Sequence, residues 1–92
     1  MPGGFDNGMD LNLMILMEQV GDIVREVAKT DIPDREANLA QYGMDSMALL
    51  DVLAVLEERF GIFVNESVIE EFHSISRITR VVRDVIRTST SG

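Results

Sequence analysis

Three stretches of the chain repeat apolar residues at three- and four-residue steps. That period restricts the chain to helices packed on one another. The first stretch follows Asp10, a residue type suited to an N-cap. Leu13, Leu16, Met17, Val20, Ile23, Val24 and Val27 fall on one stripe, and Glu18, Asp22, Arg25, Glu26 and Lys29 fall opposite. Asp22–Arg25 and Glu26–Lys29 are spaced to pair across a turn. Gly21 costs this helix about 1 kcal/mol relative to alanine. The second stretch runs from Ser46 to about Phe60, with Leu49, Val52, Leu53, Leu56 and Phe60 inward. The third, capped by Ser74 or Ser76, carries Ile75, Ile78, Val81, Val82, Val85 and Ile86. Between the last two, Asn65 is placed to cap a short helix to about Phe72, turning Val68, Ile69 and Phe72 inward. Ile62-Phe63-Val64 could pass for a strand, but it has no partner strand and reads as an extended linker covering the bundle end. The expected fold is all-α, a small four-helix bundle of three longer helices and one short one.

The remaining segments set the boundaries. Residues 1–9 hold a Pro, three Gly and an Asn-Gly pair, and read as a flexible leader. Residues 10–87 form the domain, and 88–92 read as a flexible tail. From Thr30 to Tyr42 the chain lacks a helical repeat. Pro33 disfavours helix at Ile32, and Asp34 is placed to cap a short turn through Ala40. Ile32, Leu39 and Tyr42 are expected to pin this loop to the core. A long ordered loop in so small a domain suggests a function.

Composition removes several classes of function. At 92 residues there is room for one modest core. With no cysteine there is no disulfide, no thiolate metal site and no thiol nucleophile. One histidine is too few for the usual zinc clusters, and no stretch matches a calcium-binding EF-hand loop. No metal site is expected. Apolar runs are too short for a membrane span and no signal sequence opens the chain, so the expected address is cytoplasmic, without membrane insertion. A net charge of −8 opposes nucleic acid. The acids concentrate in the middle: Asp45, Asp51, Glu57, Glu58, Glu66, Glu70 and Glu71 face only Arg59 as a base. Such a surface can steer a basic partner, as well as keep a small protein in solution. Arg77, Arg80, Arg83 and Arg87 near the end read as a solvated face or an internal charge complement.

The most informative stretch is Tyr42-Gly43-Met44-Asp45-Ser46-Met47, entering the second helix. With Asp45 as N-cap, Ser46 occupies the first helical position and its hydroxyl is not consumed by capping. It then points off the positive end of the helix dipole, where an attached phosphate is welcome. Met44 and Leu49 are spaced for a hydrophobic staple. Ser46 does not sit in a Gly-x-Ser-x-Gly elbow, and His73, the lone candidate base, lies far downstream as a loop residue. No catalytic residue is expected. On the outward side of the same helix, Met47, Ala48, Asp51, Ala54, Val55 and Glu58 mix acids with uncovered apolar groups, as a docking face does.

Gly43-Met44-Asp45-Ser46-Met47, followed by an acidic amphipathic helix ending Leu56-Glu57-Glu58-Arg59-Phe60, resembles the acyl carrier protein family, over about Leu11 to Ile86. The resemblance implies a non-catalytic, monomeric carrier with covalent 4'-phosphopantetheine on Ser46 and Asp45 in the attachment motif. Met47, Asp51, Val55, Glu57 and Glu58 would lie on the partner-docking helix, and the short third helix would be mobile and gate an acyl pocket. The implied partners are a phosphopantetheinyl transferase and an acyltransferase, ketosynthase or acyl/aminoacyl ligase. Ala48 stands where many bacterial fatty-acid carriers have an acid, and Met47 replaces the commoner Leu. These departures turn the expectation from bulk fatty-acid synthesis toward polyketide, specialised fatty-acid or other secondary-metabolite biosynthesis. An aminoacyl carrier of the D-alanyl type also matches Asp-Ser-Met. A peptidyl carrier fits less well, lacking the usual Gly-Gly-(His/Asp)-Ser. The reading from another class is an unmodified acidic helical module that binds a basic partner.

Overall fold

The computed structural model describes residues 11–91, and the leader and its proposed Asp10 cap lie outside them. Three α-helices form as the apolar period requires: α1 (Leu11–Ala28), α2 (Ser46–Phe60) and α3 (Ile75–Ser91). Two 3-10 turns, Leu39–Tyr42 and Glu66–Glu71, sit in the connections, and no strand occurs among the described residues. The protein is all helical, three long helices and the short Glu66–Glu71 helix forming a small bundle. That short helix is wound as 3-10, with Val68 N–H donating to Asn65 O at 3.0 Å and the Asn65 side chain capping Ser67 N. α3 continues into residues 88–91, the segment read as a tail, and Thr88 Oγ1 donates to Asp84 O at 2.8 Å.

α1 packs against both α2 and α3, and the Glu66–Glu71 turn packs on α2. The core is aliphatic. Val20, Ile23 and Val24 of α1 meet Val52, Leu53 and Leu56 of α2 and Ile75, Ile78 and Val82 of α3, with Phe72 as the large filler. Burying each such side chain contributes about 1.5–3 kcal/mol. Ile32 and Leu39 are buried with them and Tyr42 packs at the edge, so the first connection is pinned as the sequence suggested. Its turn is differently placed, however. Asp34 heads a tight turn that ends at Ala37, its Oδ1 accepting from Glu36 N and its backbone O from Ala37 N, and Asn38 caps the 3-10 turn that begins at Leu39.

α1 ends without a glycine. Lys29 adopts φ 59°, left-handed backbone that strains a side chain with a Cβ. This takes Lys29 off the helical spacing, and no ion pair to Glu26 forms. Arg25 instead does the joining. Its Nε and Nη2 donate to Ile32 O at 3.2 and 3.1 Å, with Asp22 and Asp31 each 3.5 Å from the guanidinium. Gly21 makes room for this arm, since a Cβ there would lie 3.0 Å from Arg25 Nη1.

Candidate functional site

Gly43 turns the chain into α2 with φ 80°, a left-handed conformation that glycine adopts without penalty. Met44 then buries, anchoring the entry in the core to which Leu49 also packs. Asp45 is the N-cap: its Oδ1 accepts from Ala48 N at 3.0 Å and its backbone O from Leu49 N at 3.0 Å. Ser46 follows as the first helical residue, exposed, with no hydrogen bond from its hydroxyl among the described residues. A helix start leaves its first amides without intrahelical acceptors; Asp45 takes that of Ala48, and Ser46 sits at the positive dipole end of α2. Gly61, φ 64°, closes α2 by donating to Glu57 O.

The other serines differ. Ser74 is buried and its Oγ caps α3 by accepting from Arg77 N at 3.1 Å, which decides between the two proposed caps. Ser76 is also buried. Ser67 is exposed but sits inside a 3-10 turn, with no long helix behind it. His73 is exposed at the turn before α3, where its carbonyl accepts from Leu39 N at 2.8 Å.

Beside Ser46 lies a recess of about 430 Å³, lined by Leu49, Leu50, Ile69 and the polar Ser67 and Glu70. It adjoins a second recess of about 490 Å³ toward Leu53, Ala54 and Val64, with Leu50 and Glu66 common to both. A serine hydroxyl beside a recess of mixed lining, apolar at Leu49, Leu50 and Ile69 and polar at Glu66, Ser67 and Glu70, has room for a flexible phosphate-linked arm. The recess comes from the pairing of α2 with the 3-10 turn, the short helix that the family resemblance set beside an acyl pocket.

Along α2, Met47, Asp51, Ala54 and Glu58 are exposed, Met47 by 71%, and they form one outward stripe. Ala48 and Val55, also expected outward, are half-buried against the core. Glu57 turns sideways, its Oε2 accepting from Val64 N at 2.9 Å, and so ties the following connection to α2. Phe63 corrects another expectation. Ile62 and Val64 cover the bundle end, but Phe63 between them is 90% exposed. Alternation in an extended segment was the available signal for it. Arg77 pairs with Glu71 at 2.7 Å and Arg83 lies 3.7 Å from Asp84, so part of the arginine stripe is a charge complement. Among the described residues no His, Asp and Glu cluster is arranged to hold a metal ion, and no helix is long and apolar enough to cross a membrane.

Known proteins match this chain in two comparisons. The family model for the phosphopantetheine attachment site matches residues 18–82. Over 74 residues the chain is 28% identical to acyl carrier protein 4, chloroplastic, of Arabidopsis thaliana, covering 77% of this chain and 54% of that protein. The chain thus spans about half the length of that relative. No solved structure matches. The family model extends from α1 through the candidate serine to α3 and covers most of the chain, and with it comes the covalent 4'-phosphopantetheine group. The chain belongs to the family of phosphopantetheine-binding carrier proteins.

Proposed function

We propose that Ser46 is the attachment point, that residues 10–87 are the carrier unit, and that the protein holds acyl intermediates as thioesters on the arm. The observation that carries this is the division of labour at the start of α2. Asp45 supplies the cap, so the Ser46 hydroxyl is exposed and unbonded on a rigid mount. Loading forms one phosphodiester. Ser46 Oγ loses its proton to a base of the transferase and takes the phosphopantetheine group from coenzyme A, releasing adenosine 3',5'-bisphosphate. When bound, the group supplies the terminal thiol that this cysteine-free chain lacks. The chain's own part is to present the oxygen, place donors and a positive dipole end beside the phosphodiester, and offer Leu49, Leu50 and Ile69 to apolar cargo.

The protein acts as a substrate of its partners and not as a catalyst. The exposed stripe of Met47, Asp51 and Glu58 is the docking surface for the transferase and for an acyltransferase, ketosynthase or ligase with a basic rim. Val55 contributes its uncovered edge. Glu57 contributes charge while tied to Val64. Met47 and Ala48 after the serine, in place of Leu and an acid, support polyketide, specialised fatty-acid or other secondary-metabolite biosynthesis.

Intact mass after incubation with a phosphopantetheinyl transferase and coenzyme A tests the assignment. Wild type gains one arm, Ser46→Ala gains none, and Ser67→Ala gains one as wild type does. Loading of Ser46→Ala would contradict the attachment point. Failure of wild type with every competent transferase would leave the unmodified interaction module.

A further inference from the structure

We propose that the Met47 thioether is a modification site, oxidised by a peroxide to the sulfoxide, and that the sulfoxide weakens docking of the transferase. This rests on the reading of Ser46 as the attachment point and of the Met47, Asp51 and Glu58 stripe as the docking surface. What it adds is a reversible chemical control on that surface.

Four of the six methionines lie among the described residues, and they differ in access. Met44 is buried in the core. Met17 is half-buried against it, and Arg35 Nη1 donates to its Sδ at 3.7 Å, which engages the lone pair an oxidant needs. Met14, exposed by 39%, belongs to α1 and not to the docking helix. Met47 is exposed by 71%, takes no part in the core or in the two recesses beside α2, and directly follows Ser46. An oxidant arriving from water meets this thioether ahead of the other three.

The step transfers one oxygen atom and two electrons. The sulfur lone pair attacks an oxygen of hydrogen peroxide, the O–O bond breaks and an S–O bond forms. The departing hydroxide takes the proton of the transferred oxygen and leaves as water, so sulfur is oxidised and peroxide reduced. A thiol-dependent reductase reverses the change, converting two thiols to a disulfide and releasing the sulfoxide oxygen as water. In the free protein the sulfoxide oxygen stands in water and costs the fold nothing. Under a docked partner it replaces an apolar contact, and burying an acceptor without a donor is costly. Leucine at this position keeps the apolar contact and cannot take up the oxygen.

The test treats wild type and Met47→Leu briefly with hydrogen peroxide, removes the excess with catalase, and compares each chain with its own untreated sample. Fragmentation mass spectrometry is expected to find Met47 oxidised ahead of Met14, Met17 and Met44. Treated wild type should be loaded by a phosphopantetheinyl transferase with a KM about tenfold higher, kcat little changed and thermal melting unchanged. Treated Met47→Leu should match its untreated sample; Met1 and Met9 are common to both chains, so their oxidation does not distinguish them. Reductases for both sulfoxide epimers, with dithiothreitol, should restore the wild-type KM. An unaltered KM in wild type oxidised at Met47, an equal rise in treated Met47→Leu, a lowered melting temperature, or another of the four methionines oxidised first would overturn the proposal. Untreated wild type that no transferase loads would overturn the attachment reading, and the proposal with it.

Discussion

The connection that leads into α2 and the one that leaves it both contain a 3-10 turn, and both border the candidate serine. Their anchoring differs. Residues 29–45 bury Ile32, Leu39 and Met44, receive the Arg25 guanidinium at Ile32 O, and exchange backbone hydrogen bonds with the start of α3 through Leu39–His73 and Arg35–Ser76. The second connection, residues 61–74, is anchored in the core only at its far end, by Phe72 and Ser74. Before them residues 61–71 bury no side chain, leave Phe63 in solvent, and are tied to α2 by the Gly61 and Ile62 amides on Glu57 O and the Val64 amide on the Glu57 carboxylate. The serine is therefore mounted firmly from its N-terminal side, while the far wall of its recess rests on half-buried Val68 and Ile69. Segments with few buried contacts open at low free energy. A carrier that must hold its attachment point still and yet admit cargo of varying bulk gains from this asymmetry.

The largest expected effect comes from the firm side. Leu39→Ala should destabilise the fold by about 2–5 kcal/mol, as for other buried leucines, whereas Ile69→Ala should cost about 1 kcal/mol. Urea denaturation measures both, and equal losses would erase the comparison. Next, Arg25→Met should cost about 1–3 kcal/mol, because Ile32 O loses a charged donor. Smaller again is the test that separates the two neighbouring acids. Glu57→Gln should cost about 1 kcal/mol and speed hydrogen exchange at the Val64 amide, while Glu58→Gln should stay within about 0.5 kcal/mol. Slower loading by the transferase with Glu58→Lys, at unchanged stability, would place Glu58 on the docking surface. Least of all, Phe63→Ser should change stability by no more than about 0.5 kcal/mol. A larger loss would mean that Phe63 packs on the protein in solution.

What the sequence disclosed follows the same division. Gly43, Asp45 and Gly61 were legible because turn and cap chemistry is local, and the three apolar stripes marked the helices that formed. The left-handed Lys29, the reach of Arg25 to Ile32 O and the full burial of Thr79, whose Oγ1 donates to Ile75 O at 2.8 Å, depend on neighbours brought in by the fold. The bond from Val64 N to the Glu57 carboxylate depends likewise on how the connection turns back. At the site, the residues themselves yielded an exposed hydroxyl at a helix start. The role of that hydroxyl and a pocket by the short helix came from family resemblance, and the residues that line the recess needed the packed structure.

The most direct measurement is to load the wild-type chain with phosphopantetheine and map the modified residue by fragmentation mass spectrometry. The account predicts the whole added mass on Ser46, with Ser67, Ser74 and Ser76 bare. An arm found on any other residue would contradict it.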